Sequence, residues 1–212
     1  MSDDIILYDY PKSSASYRVR IALNLLELPY QTELVNLLSG THKQTHHLAR
    51  NPQGLVPALA IDGVMLTQSL AILDYLHKTR GLYLWPDDAI AKAHIQAAAM
   101  AIAVDIHPVC NLSVIRHATG GEEPARTQWM HHFIKPGLMA FEELITKADF
   151  QIDEGPFCAG SIVTMADICL IPQLYNAARW GIDYTDCPAI CRAEAACAEL
   201  PAFLNAHPEK AL

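Results

Sequence analysis

Residues 56–66 read VPALAIDGVML, and this stretch decides the fold of the first part of the chain. It contains two short runs of strand-forming residues separated by Asp62-Gly63, a dipeptide typical of a two-residue β-hairpin. Ser69 follows as the predicted N-cap of a helix with apolar positions at Ile72, Leu73 and Leu76. The stretch therefore predicts a β-β-α unit.

The residues before this hairpin predict a β-α-β unit. Ile5–Tyr8 is a short strand-forming run, and serines between Ser13 and Ser16 offer N-cap residues for a helix that ends before Pro29. A second strand is expected within residues 30–37, and the polar stretch 39–50 can hold a short helix. The complete order, β-α-β followed by β-β-α, is the order of a thioredoxin-like domain, with a parallel strand pair and an antiparallel edge.

Strand signals fade after residue 85, and the rest of the chain predicts an all-α domain. Ala89–Ala103 is rich in alanine and suits a long helix, and a second helix is expected over Arg126–Ala148. Thr164-Met165-Ala166-Asp167 resembles a capping box, with Asp167 expected as a buried cap. We predict a thioredoxin-like domain over residues 1–83, a linker over 84–89 and a helical domain over 90–212.

Composition excludes several classes of protein. The chain has 212 residues, of which 51% are hydrophobic, and a formal net charge of −8, which is typical of a globular protein and unlike a nucleic-acid binder. No run approaches 18 uncharged apolar residues, so no transmembrane helix and no membrane association are expected. The start, Met1-Ser2-Asp3-Asp4, lacks the positive charge of a secretory signal, so a cytoplasmic location is expected.

Cysteine and histidine do not form a metal or redox motif. All six cysteines lie in the second half of the chain without a CxxC pair, and we expect reduced thiols. The pairs His46-His47 and His131-His132 are adjacent, so on a helix they cannot chelate a metal as an i, i+4 couple does. We interpret them as solvated surface histidines and predict no metal. A structural role is also favoured for His107.

The start of the first helix is the corner where thioredoxin-like domains carry their reactive group. Here it reads Lys12-Ser13-Ser14-Ala15-Ser16, and the absence of cysteine from the domain excludes disulfide exchange. A hydroxyl at a helix N-terminus can donate to the thiolate of a ligand. The alternative is simple capping, which explains one serine but not three.

Two further positions can serve either structure or ligand binding. Val56-Pro57 is an ordinary strand start or, if the bond is cis, a place where the backbone of Val56 turns outward to a ligand. Gln68-Ser69 precedes the third helix, whose free N–H groups can hold a carboxylate. From pattern alone, capping is the favoured reading there.

With these residues in place, the sequence resembles the zeta class of glutathione transferases, which includes maleylacetoacetate and maleylpyruvate isomerases. SSASYRVRIAL at residues 13–23 is similar to the class signature SSCxxRVRIAL. Similar motifs follow in the same order over nearly the whole chain: Asn51–Leu59, Gln68–Ile72, Asp105–Pro108, Thr164–Gln173 and Asn176–Trp180.

The resemblance implies a site that binds glutathione. Ser13 and Ser14 match the serines that orient glutathione and stabilise its thiolate. The residues matching glutathione-binding positions are His42, Val56, Pro57 (a cis-proline), Gln68, Ser69 and Asn111. Arg179 matches an arginine proposed to hold a substrate carboxylate, and Lys12 stands where maleylpyruvate isomerases have arginine. From the residues alone, a salt bridge to a neighbouring helix is an equal alternative for Arg179.

The function implied is glutathione-dependent cis–trans isomerisation of a maleyl-keto acid by a homodimeric enzyme. Alternatives are conjugation or dehalogenation of small electrophiles such as α-halo acids, and a non-catalytic binding protein of the same fold. Ala15 replaces the signature cysteine, which should modify the pocket without abolishing catalysis, because the reacting thiol belongs to glutathione. Val109–Ser113 lacks an arginine common in maleylpyruvate isomerases, which weakens that assignment.

Overall fold

The computed structural model describes residues 4–147 and 149–211, which form two compact units. The first unit comprises the residues up to Leu82 together with those from Leu200 onward, and the second comprises Tyr83–Glu199. The N-terminal part of the first unit ends at Leu82, and the predicted first domain ends at residue 83. The predicted helical domain over 90–212 differs from this division, since the C-terminal segment belongs to the first unit.

The first unit has the predicted thioredoxin-like order and a four-stranded mixed sheet. The strands are β1 (Ile6–Asp9), β2 (Gln31–Leu34), β3 (Ala58–Ile61) and β4 (Val64–Thr67). Their order in the sheet is β2-β1-β3-β4, with β1 parallel to β2 and antiparallel to β3, and β3 antiparallel to β4. Asp62 and Gly63 both have positive φ, as a hairpin turn of this length requires.

Four helices of the first unit accompany this sheet. They are α1 (Ser14–Leu25), α2 (Thr45–Arg50), α3 (Ser69–Arg80) and α10 (Pro201–Ala206), and a 3₁₀ turn over Thr41–Lys43 precedes α2. The core is built from side chains that are fully buried, including Leu7, Leu23, Leu59, Ile72 and Leu73. Burying such aliphatic side chains stabilises the fold by about 1.5–3 kcal/mol each.

The C-terminal segment joins the first unit through buried polar contacts with α1. Arg20, which is 1% exposed, donates from Nε to the carbonyl of Ala206 at 2.8 Å and forms an ion pair with Asp9 at 2.7 Å. Asn24 donates to the carbonyl of Ala202 at 3.0 Å. These contacts connect residues 186 and 178 positions apart, so sequence periodicity could not reveal them.

The second unit is helical, as predicted. Its helices are α4 (Ala89–Met100), α5 (His107–Val109), α6 (Leu112–Thr119), α7 (Ala125–Ile145), α8 (Met165–Arg179) and α9 (Pro188–Ala198). The predicted helix Ala89–Ala103 continues as a π-helical segment over Ala101–Ile106. The helix expected over Arg126–Ala148 ends at Ile145, and Ala148 lies outside the described residues.

One continuous helical stretch, Ala89–Val109, is long and apolar enough to cross a membrane by length and composition alone. Core helices of soluble proteins pass the same test, and this stretch packs against α7 and α8 within the second unit. Only 33% of its apolar window is buried. The expectation of no membrane association stays a prediction.

Candidate functional site

The sheet topology brings three of the predicted elements to one edge. Because β1 and β3 are antiparallel, the end of β1, which leads into Ser13, lies beside the start of β3, which follows Val56-Pro57. The register pairs Ala58 with Thr67, so the end of β4 and the start of α3 at Gln68 lie at the same edge. Ser13, Val56 and Gln68 therefore come from distant parts of the sequence to one place.

The first helix is capped by Ser13, which uses its hydroxyl oxygen as the acceptor. Ser13 has an extended backbone, with φ −78° and ψ 117°, and its Oγ accepts a hydrogen bond from the N–H of Ser16 at 3.2 Å. Ser14 is the first helical residue and is only 6% exposed. Capping therefore accounts for Ser13 as an acceptor, while its O–H can still donate to an anion.

Arg20 anchors the loop that carries Lys12 and Ser13. Its Nη2 donates to the carbonyl of Pro11 at 2.9 Å, and its Nη1 donates to both carboxylate oxygens of Asp9 at 2.8 and 2.7 Å. This ion pair lies in the interior, because both side chains are buried. Lys12 itself is exposed.

The peptide bond between Val56 and Pro57 is cis. The N–H and the carbonyl of Val56 make no hydrogen bond with any of the described residues. The preceding carbonyl, of Leu55, accepts from Nδ2 of Asn51 and is bonded to Nε2 of His47, each at 2.9 Å. Since backbone polar groups normally find partners, Val56 offers a donor and an acceptor to a ligand held at a fixed position.

The predicted surface role of His47 is wrong. Its side chain is completely buried, because the ring bonds the Leu55 carbonyl in the irregular segment before Pro57. His46, His131 and His132 are exposed as expected. His131 also bonds the carbonyl of Trp180 at 2.8 Å.

The third helix begins at Ser69, so its N-cap lies one residue before the predicted cap. Gln68, not Ser69, is the N-cap, and no side chain caps the helix. Ser69 is the first helical residue, and its Oγ accepts from Nη1 of Arg18 at 3.2 Å. Gln68 has φ 66°, a strained value for a residue other than glycine, and strain of this kind concentrates at functional sites. The uncapped start of α3 is suited to an anion.

His42 lies half-buried in the 3₁₀ turn before α2. Burial lowers its pKa, and the nearby charges of Lys43 and His47 act in the same direction, whereas the Asn36 backbone opposes them. The imidazole is therefore mainly neutral at pH 7. It can donate an N–H to a carboxylate, and it gains a charge as the pH falls.

Asn111 and Arg179 belong to the second unit. Asn111 is the N-cap of α6, but its side chain makes no capping bond, which leaves the amide available. Arg179 is the last residue of α8 and is exposed, with its guanidinium 5.9 Å from the Tyr175 ring centroid. Among the described carboxylates, none forms an ion pair with Arg179, so the alternative salt bridge is absent from this part of the chain.

Asp167 is the buried cap that the sequence predicts. Its Oδ2 accepts from the N–H and the hydroxyl of Thr164 at 2.8 and 2.9 Å, and its Oδ1 accepts from the N–H of Cys158 at 2.8 Å. Burial raises the pKa of Asp167, against the effect of these hydrogen bonds. All of its contacts are structural, so it is not a candidate acid.

The cysteines are all free, and none has the environment of a reactive thiol. Burial raises the pKa of Cys110 to about 12 and that of Cys187 to about 11. Among the described residues, no group of three or more His, Cys, Asp and Glu side chains could hold a metal ion.

Comparison with known proteins gives the class and then the family. Residues 3–78 match the N-terminal domain of glutathione S-transferases. Maleylacetoacetate isomerase of Rhizobium meliloti (strain 1021) is 49% identical over 215 residues, covering 100% of this chain and 99% of the relative. The chain is therefore a glutathione S-transferase by class. It belongs to the maleylacetoacetate isomerase family within the zeta class, so the expectation of an enzyme is confirmed.

Two solved structures are similar to this chain over almost their whole length. A bacterial maleylpyruvate isomerase of the zeta class, solved in its holo form, has a TM-score of 0.91 and 36% identity over 97% of both chains. Maleylacetoacetate isomerase of Anaeromyxobacter dehalogenans 2CP-1, with glutathione in its active site, has a TM-score of 0.85 and 36% identity, covering 98% of this chain and 96% of that one. The predicted fold class is confirmed.

Sequence reasoning missed three residues that shape the site. Arg20 fixes the loop before Ser13, His47 fixes the segment before Val56, and Gln53 bonds Gln68. Only Arg20 gave a signal, because a charged residue in an otherwise apolar helical run requires a partner. His47 and Gln53 lie in irregular backbone, where no periodicity shows which side chains turn inward.

Proposed function

We propose that this protein is a glutathione-dependent cis–trans isomerase of a maleyl-keto acid of the maleylacetoacetate type. The observation that carries the proposal is the meeting of Ser13, the unpaired backbone of Val56 and the uncapped start of α3 at one edge of the sheet. The relatives named above act in this way or bind glutathione, which supports the same role here.

The groups at this edge fit a γ-glutamyl tripeptide thiol. Val56 offers one N–H and one carbonyl, which match the backbone of the cysteinyl residue. The start of α3 offers N–H groups and a favourable dipole to the γ-glutamyl carboxylate, and Ser69 adds a hydroxyl. We also assign His42, in the first unit, and Asn111, in the second unit, as neutral donors to glutathione. When bound, glutathione supplies a thiolate that adds to the conjugated double bond, allows rotation about it, and leaves again with no net consumption.

Ser13 and Ser14 would hold the sulfur as its anion. The O–H of Ser13 is a better donor because its oxygen already accepts from Ser16, and hydrogen bonds in a chain polarise one another. A hydrogen bond to a charged group contributes about 1.5–3 kcal/mol. Because Ala15 stands where the class signature has cysteine, the only thiol at this position would be that of glutathione.

A maleyl-keto acid carries carboxylates, and this acidic chain must provide local cations for them. Arg179 is exposed and free of described carboxylate partners, and its planar guanidinium can bind a carboxylate through two N–H groups. Lys12 is exposed directly before the Ser13 cap. We assign both to substrate binding.

An assay panel tests the substrate. Maleylacetone, maleylpyruvate and dichloroacetate are compared at fixed glutathione, with calorimetry measuring glutathione binding. We expect turnover of maleylacetone to exceed that of maleylpyruvate, because Val109–Ser113 lacks an arginine. Preferential turnover of dichloroacetate would favour the halo-acid alternative. Glutathione binding without turnover would favour a binding protein, and no binding at millimolar ligand would refute the proposal.

We also propose a homodimer and a cytoplasmic location. One face of α4 and its π continuation carries the exposed residues Ile90, Ala93, Ala97, Met100 and Val104 at helical spacing. Such an apolar stripe fits a second copy of the same surface. Met100→Glu should convert a dimer to a monomer in light scattering, whereas Val114→Glu, on exposed α6, should not. The six free cysteines support a reducing compartment.

A further inference from the structure

Gln53 lies in the loop between α2 and β3 and forms a hydrogen bond that none of the motifs explains. Its Oε1 accepts from Nε2 of Gln68 at 2.7 Å. The bond connects two segments 15 residues apart, the Asn51–Leu55 loop and the uncapped start of α3. It therefore couples the segment that precedes Val56 to the residue that begins α3.

The backbone of Gln53 is held in place on both sides. Its N–H donates to Oδ1 of Asn51 at 3.1 Å, and Asn51 is 2% exposed. Gly54 follows with φ 61°, and a Cβ there would lie 2.9 Å from the His42 carbonyl oxygen, so only glycine fits. The Gln53 side chain thus projects from a constrained turn.

Gln68 needs an orienting partner. Its backbone is in the left-handed region and its side chain is exposed, so without a contact the amide would be free to rotate. One donor of its Nε2 is directed at Gln53, which fixes the direction of the other donor and of Oε1.

We propose that Gln53 is a positioning residue for the γ-glutamyl end of glutathione and that it acts through Gln68. The inference rests on the proposed glutathione site. By holding the Gln68 amide in one orientation before the ligand arrives, Gln53 reduces the ordering cost of binding. Gln53 need not touch the ligand itself.

A double-mutant cycle tests this by measuring the dissociation constant of glutathione calorimetrically. Gln53→Met, which keeps the volume and removes the acceptor, should raise the dissociation constant about fivefold, as loss of one neutral hydrogen bond predicts. Gln68→Met should raise it further. The double variant should bind no more weakly than Gln68→Met alone, since Gln53 has nothing to orient once Gln68 is gone.

Two controls separate positioning from general stability. Gln53→Glu keeps an acceptor and should retain most of the affinity, whereas Gln44→Met, at an exposed glutamine of the same unit, should change nothing. Two results would overturn this inference but not the proposed function. In one, Gln53→Met weakens glutathione binding fivefold both with Gln68 and with Met at position 68. In the other, Gln53→Met leaves the dissociation constant unchanged. Failure of the unmodified protein to bind glutathione would overturn the proposed function as well.

Discussion

The first N–H groups of α8 and of α3 have no partner within their helices, and the two helices differ in whether side chains bind these groups. At α8, Thr164 and Asp167 form a reciprocal capping box, and the carboxylate also binds the N–H of Cys158. At α3, the N-cap is a strained Gln68, and no side chain caps the helix. A helix start that is fully satisfied by its own chain serves stability, whereas one left open can serve a ligand.

The difference between these two helix starts also explains why the sequence predicts the cap of α8 correctly and the cap of α3 incorrectly. Thr164 and Asp167 are three residues apart, so the capping box is visible in the sequence. Ser69 has the residue type of a cap, but its hydroxyl is taken by Arg18, which is 51 positions away. The cap therefore moves to Gln68, and local pattern alone points to the wrong residue.

The largest effect of a substitution is expected at the capped N-terminus of α8. Asp167→Asn leaves the N–H and hydroxyl of Thr164 without their charged acceptor in the interior, so the free energy of unfolding should fall by about 3 kcal/mol in urea titrations. Asp88→Asn, at the exposed cap of α4, should change stability very little, because asparagine caps a helix about as well as aspartate does. If Asp167→Asn instead weakened glutathione binding while stability stayed unchanged, its structural role would be refuted.

The opposite end of α8 should show the reverse behaviour. Arg179→Lys loses the planar fork and should lower kcat/KM for maleylacetone by about 30- to 150-fold, the equivalent of 2–3 kcal/mol, mainly through KM. Glutathione affinity should stay nearly unchanged, and Arg192→Lys is the matched control. An equal loss with uncharged electrophiles, or a drop in melting temperature that accounts for the lost activity, would show a structural role.

Secondary structure was predictable to the extent that it depends on nearby residues. The hairpin at Asp62-Gly63, the cap at Ser13 and the order of strands follow from local patterns. Arg20 and the C-terminal helix could not be linked in advance, because their bond spans the chain. The same holds for His47 and Gln53, whose partners are single groups in irregular loops.

The N-terminus of α1 combines features of the capped start of α8 and the uncapped start of α3, since Ser13 both caps the helix and can donate to a ligand. Ser13→Ala should lower kcat about ten- to a hundredfold by removing a hydrogen bond to the thiolate, with a smaller loss of stability from the cap. Ser14→Ala should have the smaller effect on kcat, because Ser13 is the N-cap whose oxygen accepts from Ser16, a bond that polarises its hydroxyl. Thiolate formation can be followed by ultraviolet absorbance of bound glutathione at varied pH. Wild-type turnover in both single variants would leave the helix dipole as the sole source of thiolate stabilisation.

The smallest effect is expected at His42, and it should depend on pH. Burial lowers the pKa of its imidazole in the free protein, and a ligand carboxylate beside it raises that pKa in the complex. The complex therefore takes up protons, so glutathione affinity should increase as the pH falls from 8 towards 6. His42→Gln keeps a neutral donor but cannot be charged, so it should bind about 2- to 10-fold more weakly at pH 6 and show a flatter pH profile. His46→Gln, on the exposed side of α2, should keep the wild-type profile. If His42→Gln kept the full pH dependence, the carboxylate contact would belong to another residue.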